Sequence, residues 1–318
     1  MFVRFLTWLK ARWLRLLVLA TLIGAFPAGG LALLSHKERD LIFRIEPGVA
    51  GWYHGLPAGV QELELPVPSA RGKDSLHAWW WPAASRAAPA VLYLHGSRWN
   101  LTGQLFRIQQ LREFGFSVLA IDYRGFGKSS GQTPSETTVY EDAHVAWQRL
   151  VKLQPDAAKR YIYGHSLGGA VAVDLAKTLG EQASRSGGGA QAAGLIVEST
   201  FTSLADVAAA MLNVRWPIQW IMSQKFDSID KIVGVRMPVL LVHGTDDRYI
   251  PPRFSEELYA EALEPKKLLL IEGGSHNNSM RVGSAEYRKA LQEFFGLGRK
   301  TRHASPGIRG SERAGAAG

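Results

Sequence analysis

Hydrophobic and polar positions along this chain fall into two alternating periods. Short apolar runs at 90–94, 117–121, 160–163, 195–198, 239–242 and 267–271 have the length and composition of buried strands. Stretches with apolar residues at helical spacing lie among them, at 104–114, 136–153, 170–179, 253–263 and 285–295. Ser135 stands where the second of these helices needs a cap. Two earlier runs, 60–67 and 76–81, flank the turn Arg71-Gly72-Lys73-Asp74 and predict a hairpin. Strands alternating with amphipathic helices predict an α/β fold: a mostly parallel sheet covered on both faces.

Three stretches break the pattern. Residues 184–194 are rich in Gly, Ser, Ala and Gln, which predicts a flexible surface loop. Residues 199–237 are too long for an ordinary strand-to-helix connection. They carry Phe201, Met211, Leu212, Trp216, Ile218, Trp220, Ile221, Met222 and Phe226 around Pro217, which predicts a small helical cap. From 299 to 318 the chain is polar, basic and Gly/Ala-rich, which predicts a disordered tail.

The N-terminus reads differently. Leu16 to Leu34 is an uncharged, mostly apolar run of nineteen residues, just long enough to cross a bilayer. Arg4, Lys10, Arg12 and Arg15 precede it. Residues 1–35 are therefore expected to be a transmembrane anchor, with a cleaved signal ending near Gly30-Leu31-Ala32 as the rival. A short basic leader stays cytoplasmic, which puts the large domain at 36–298 on the extracytoplasmic (periplasmic) side. The net charge of +9 is placed at the ends, four charges within 1–15 and four within 299–318. The rest is close to neutral, so no nucleic-acid partner is expected. With no cysteine, disulfides, thiolate nucleophiles and Cys-based metal sites are excluded.

The candidate chemistry sits at Gly164-His165-Ser166-Leu167-Gly168, between a strand run and a helix run. A serine on a sharp strand-to-helix turn is a nucleophile elbow: small neighbours tolerate the turn, and the helix aims its first N–H groups at the reacting oxygen. A bare match arises by chance about 0.2 times in such a chain. Gly127-Lys128-Ser129-Ser130-Gly131 fits too, but leads into Gln132-Thr133-Pro134, which is turn chemistry, so Ser129 is rejected. Gly127-Lys128-Ser129 is no phosphate loop either, because the required earlier glycine is Asp122. Partners for Ser166 are sought at other strand ends. Asp246 and Asp247 follow the 239–242 run, and His276 follows the 267–271 run on Glu272-Gly273-Gly274-Ser275-His276-Asn277. Spacing does not choose between the two aspartates. After 90–94 comes His95-Gly96-Ser97-Arg98, where the N–H groups of Ser97 and Leu167 are candidates for an oxyanion hole.

Together, Leu94-His95-Gly96, the Asp122–Ser129 segment, Gly164–Gly169, His243-Gly244-Thr245-Asp246-Asp247 and Gly274-Ser275-His276-Asn277 resemble the α/β-hydrolase superfamily. The nearest likeness is to small-cap serine hydrolases of lysophospholipase-like and protein-depalmitoylase-like type. The resemblance covers about 60–295, outside the anchor and the tail. It implies about eight strands with the second antiparallel, a triad of Ser166, His276 and Asp247, and neither a metal nor an organic cofactor. The expected activity is hydrolysis of carboxylic esters or thioesters on a small-molecule or lipid-like acyl substrate. The alternatives are a serine aminopeptidase, with Glu198 or Asp227 holding the amine, and a non-catalytic binding protein. His95, His165, His243 and Asp246 read as structural. Trp79-Trp80-Trp81 reads as packing on alternate faces of a strand. The apolar cap residues either line an acyl pocket or cover the sheet.

Overall fold

The computed structural model describes residues 33–297 except 69–71, 73, 189–190 and 214–217. The apolar runs form an eight-stranded sheet: β1 Gln61–Val67, β2 Asp74–Trp81, β3 Ala90–Leu94, β4 Ser117–Ile121, β5 Arg160–His165, β6 Gly194–Glu198, β7 Val239–Gly244 and β8 Lys266–Ile271. Their order is β1-β2-β4-β3-β5-β6-β7-β8. The first two strands make the expected hairpin, Gln61 opposite Trp80 and Val67 opposite Asp74, and β2 also runs antiparallel to β4. From β4 onward every neighbouring pair is parallel. Each residue of β3 to β7 is buried, which is why these strands are apolar without alternation.

Helix α1 covers residues 33–43. It is followed by α2 Leu101–Glu113, α3 Glu136–Leu153, α4 Leu167–Ser186, α5 Leu204–Leu212, α6 Ser228–Ile232, α7 Arg253–Glu261, α8 Ser279–Val282 and α9 Ser284–Phe295. One core, with Trp147, Leu175, Ile232 and Leu258, packs α3, α4, α6 and α7 on one sheet face. The other, with Ile108, Leu111, Tyr287 and Leu291, packs α2 and α9 on the opposite face. Trp79 is buried in the second core and stacks on Tyr53 at 5.9 Å, while Trp80 packs against the first. The tryptophan run therefore alternates as read. Ser135 caps α3 through a capping box with Thr138.

Two elements differ from the sequence reading. Helix α4 does not stop near 179 but continues to Ser186 and ends on left-handed Gly187. Leu175, Ala176, Leu179 and Gly180 bury its face, and the polar residues beyond simply extend the helix into solvent, so the expected loop begins later. Strand β5 gains Gly164 and His165, because both pair with β6, opposite Val197 and Glu198. The segment at 199–237 carries α5, a 3-10 turn at Ile218–Trp220 and α6. It is not a uniform apolar lining: Phe201 and Phe226 are buried, whereas Met211, Leu212, Trp220 and Ile221 are exposed. Among the described residues no helix is long and apolar enough to cross a membrane. The expected anchor, residues 1–35 with its apolar run, lies almost wholly outside the described residues, as does the 299–318 tail.

Candidate active site

Parallel pairing brings the carboxyl ends of β3, β5, β6, β7 and β8 to one sheet edge. Ser166 leaves β5 there with φ +55°, a left-handed conformation that costs a non-glycine residue on the order of 1–3 kcal/mol. A side chain at Gly164 would collide with the Gly168 carbonyl, and one at Gly168 with the Leu94 carbonyl, which is the steric reason for the Gly-x-Ser-x-Gly spacing. The turn is pinned by Ser166 N–H donating to Glu198 O at 2.9 Å and Thr200 Oγ1 donating to Ser166 O at 3.0 Å.

His276 Nε2 lies 3.0 Å from Ser166 Oγ, and its Nδ1 lies 2.7 Å from Asp247 Oδ2. The Asp247 side chain is fully buried. Burial alone would raise its carboxyl. Hydrogen bonds from His243, His276 and the Ile250 N–H outweigh that and hold it well below the usual carboxylate range. Its Oδ1 accepts the N–H groups of Tyr249 and Ile250, both at 2.9 Å. An ionised Asp247 makes Nδ1 the protonated nitrogen, which leaves Nε2 to accept the serine proton. Asp246 is exposed, and its backbone N–H donates to Gly274 O at 2.8 Å. The structure thus brings Ser166, His276 and Asp247 together and leaves Asp246 outside.

Gly96 approaches the serine closely enough that a Cβ there would sit 3.3 Å from Ser166 Cβ. The Ser97 and Leu167 amides flank this contact, and neither donates to a protein acceptor among the described residues. No group of three or more His, Asp or Glu among the described residues is placed to hold a metal ion.

A family model described as serine aminopeptidase, S33, matches residues 85–231. Uncharacterized protein Rv2307c of Mycobacterium tuberculosis is 31% identical over 285 residues, which span 88% of this chain and 95% of that protein. Protein ABHD12B of Homo sapiens is 32% identical over 261 residues, 75% of this chain and 67% of that one. The solved alpha-beta hydrolase from Vibrio vulnificus superposes with a TM-score of 0.64 at 21% identity, over 82% of this chain and 93% of that chain. The chain belongs to the α/β-hydrolase superfamily.

In this α/β-hydrolase the rejected serine has a purely local task. Ser129 Oγ donates to Asp122 O at 2.6 Å and accepts the His77 N–H at 2.8 Å, tying its loop to β2. His95 is buried, and its Nδ1 lies 2.7 Å from the Gly96 carbonyl. Burial pushes its pKa down. His243 packs beneath the aspartate, with Nε2 3.3 Å from Asp247 Oδ2 and 2.9 Å from Ile250 O, and Nδ1 2.6 Å from Ser255 Oγ.

Sequence reasoning missed a buried polar network behind the histidine. Arg107 Nη2 lies 3.4 Å from Glu198 Oε1, 2.9 Å from His165 Nε2 and 3.2 Å from His276 O. Glu198 Oε2 accepts the hydroxyls of Tyr163 at 2.5 Å and Tyr287 at 3.3 Å. His165 Nε2 is also 2.9 Å from His276 O. Arginine only donates and a carbonyl only accepts, so Nε2 serves one of them. With His165 protonated on Nδ1, Arg107 donates to both and no two donors face each other. Burial, then the adjacent Arg107 charge, holds His165 well below the ordinary histidine pKa, in its neutral form. The network grips the backbone of the residue whose imidazole faces Ser166.

Proposed function

We propose that this α/β-hydrolase is a serine hydrolase of carboxylic esters or thioesters, tethered to a membrane through the apolar run Leu16 to Leu34. One observation carries the catalytic reading: the continuous line from Ser166 Oγ to His276 Nε2 at 3.0 Å and from His276 Nδ1 to Asp247 Oδ2 at 2.7 Å. In the reaction, His276 Nε2 takes the Ser166 proton as Oγ bonds to the substrate carbonyl carbon. Asp247 holds the imidazole in its Nδ1-protonated form and stabilises the imidazolium. The N–H groups of Ser97 and Leu167 receive the oxyanion. The imidazolium then protonates the departing alkoxide or thiolate. Water, deprotonated by His276, hydrolyses the acyl-enzyme and restores Ser166. A fluorophosphonate probe tests this assignment. We expect Ser166→Ala to abolish labelling and Ser129→Ala to retain it; labelling that survives Ser166→Ala refutes the nucleophile.

The matching family model favours a second reading, an aminopeptidase. Such an enzyme holds a free amine with an acidic side chain. Glu198 is wholly buried and engaged with Arg107 and two tyrosine hydroxyls, which argues against its serving as that acid. Asp227 remains at the cap, partly buried. Comparing kcat/KM for p-nitrophenyl esters and aminoacyl p-nitroanilides separates the readings, and faster anilide cleavage overturns the ester assignment.

A further inference from the structure

Helix α1 joins the N-terminal apolar run to the hydrolase domain, and it is fixed at both ends. Phe43, at its last turn, is fully buried between Phe126 and Phe226, with ring centroids 6.4 and 6.3 Å away. Near its start, Ser35 Oγ lies 3.0 Å from Ser223 Oγ, and at its middle Glu38 accepts the Ser223 and Gln224 backbone N–H groups at 2.9 and 3.0 Å. The helix is thereby clamped to the cap just before α6. Glu38 is four residues, about 6 Å of helix rise, past Leu34, where the uncharged apolar run ends. The following segment reaches the other side of the site. Glu46 pairs with Arg98 at 3.0 Å, and the Ala50 N–H donates to Thr102 Oγ1 at 2.9 Å, so it lies against the loop that carries Ser97.

Leu34, Glu38 and Leu41 are spaced i, i+4, i+7, so Leu34 and Leu41 flank Glu38 at the open edge of its contact with the cap. Leu34 and Leu41 are 68% and 76% exposed. Trp220 and Ile221, three and two residues before the Ser223 contact, are 82% and 83% exposed. Met211, on α5 packed beside that turn, is 67% exposed. Scattered single apolar side chains on a surface need no explanation, but this group flanks one contact, which marks an interaction face. Of the possible occupants, the one the chain itself delivers is a bilayer. The apolar run ends within about one helical turn of the face, and the clamp leaves no slack between them.

We propose that the α1–cap face is seated in the interfacial region of a phospholipid bilayer, with Trp220 and Ile221 among the acyl chains. This rests on the membrane reading of residues 16–34. It implies that the cap, whose first residues lie against Ser166 through Thr200, meets lipid directly, so that an acyl substrate reaches the site from the bilayer rather than from water. Amphipathic segments of this kind bury about 5–10 Å into the headgroup boundary.

The chain has no cysteine, so single cysteines can be introduced and labelled without background. The full chain is reconstituted in vesicles of phosphatidylcholine and phosphatidylglycerol, carrying the environment-sensitive NBD fluorophore at Ile221→Cys, Ala20→Cys or Arg185→Cys. Arg185 is an exposed position on α4. Fluorophosphonate labelling of Ser166 in the same samples reports folding and the nucleophile independently. We expect doxyl-labelled lipid to quench Ile221→Cys emission at least about twofold, a depth the interfacial geometry allows, and to leave Arg185→Cys unquenched. Quenching at Ala20→Cys with none at Ile221→Cys overturns the proposal while leaving the anchor intact. Quenching at neither overturns both. Emission at Ile221→Cys that is blue-shifted but unquenched overturns it in favour of a second copy or the chain's own N-terminal segment as the cover.

Discussion

The Arg107–Glu198 pair gives a quantitative test of the network behind His276. Arg107 is 7% exposed and Glu198 wholly buried. Truncating Arg107→Met removes the positive partner and leaves a carboxylate in the core with only the Tyr163 and Tyr287 hydroxyls. Breaking a buried pair in this way costs about 3–5 kcal/mol. For a domain of this size each kcal/mol lowers Tm by about 2–4 °C, so Arg107→Met should melt at least about 6 °C below the wild type. Adding Glu198→Gln removes the stranded charge but keeps an amide oxygen for the tyrosine hydroxyls. Arg107→Met/Glu198→Gln should therefore regain at least about half of the loss. The double-mutant cycle should show a coupling of about 2 kcal/mol, well above the 0.3–0.5 kcal/mol scatter of independent sites. Intrinsic tryptophan fluorescence during thermal unfolding of the four proteins measures this. Singles whose losses simply add in the double variant would refute the reasoning: the charge on Glu198 would then not be neutralised by Arg107. Because Arg107 also donates to His276 O, the double variant should recover stability without fully recovering kcat on an ester substrate.

Two further outcomes follow from the site. Asp247→Asn should lower kcat by about 10⁴ by favouring the wrong imidazole tautomer, whereas Asp246→Asn should stay within about threefold; ester hydrolysis by both variants checks this, and equal losses would undo the choice of Asp247. His165 is neutral in the folded state and titrates near pH 6.5 when unfolded, so between its lowered folded value and about 6.5 the unfolded chain binds the extra proton. Stability is therefore lost as pH falls through about 6.5, and His165→Gln should flatten Tm against pH below that point. The slope should shrink rather than vanish, since buried His95 and half-buried His144 are shifted the same way. A slope identical to that of the wild type would mean that His165 accepts its proton in the folded protein.

Much of this architecture was legible because burial leaves a direct mark on composition. Strands β3 and β4 match their apolar runs residue for residue, since a strand covered on both faces has no polar side to blur its ends. The elbow was legible because Gly164 and Gly168 answer to backbone collisions that no other residue avoids. The end of α4 was not, because its last residues touch little and composition alone does not forbid helix there. Nor could spacing separate Asp246 from Asp247: adjacent loop residues differ only in which one the chain turns inward, and that is fixed by the Tyr249 and Ile250 amides folding back onto Oδ1. The Arg107 network spans residues 91 apart in sequence, so no local window contains it. It did leave a trace. On α2 the buried residues are Leu101, Gln104, Arg107, Ile108 and Leu111, so two polar side chains stand on the stripe that should be apolar. Strand β6 ends its run Leu195-Ile196-Val197 on a buried Glu198. A cation on a core stripe and an anion at the end of a core strand each need a partner in a dry interior. Parallel pairing places Glu198 directly beside His165, next to the elbow. The two anomalies, taken as a pair, point to the side of the sheet on which His276 is held.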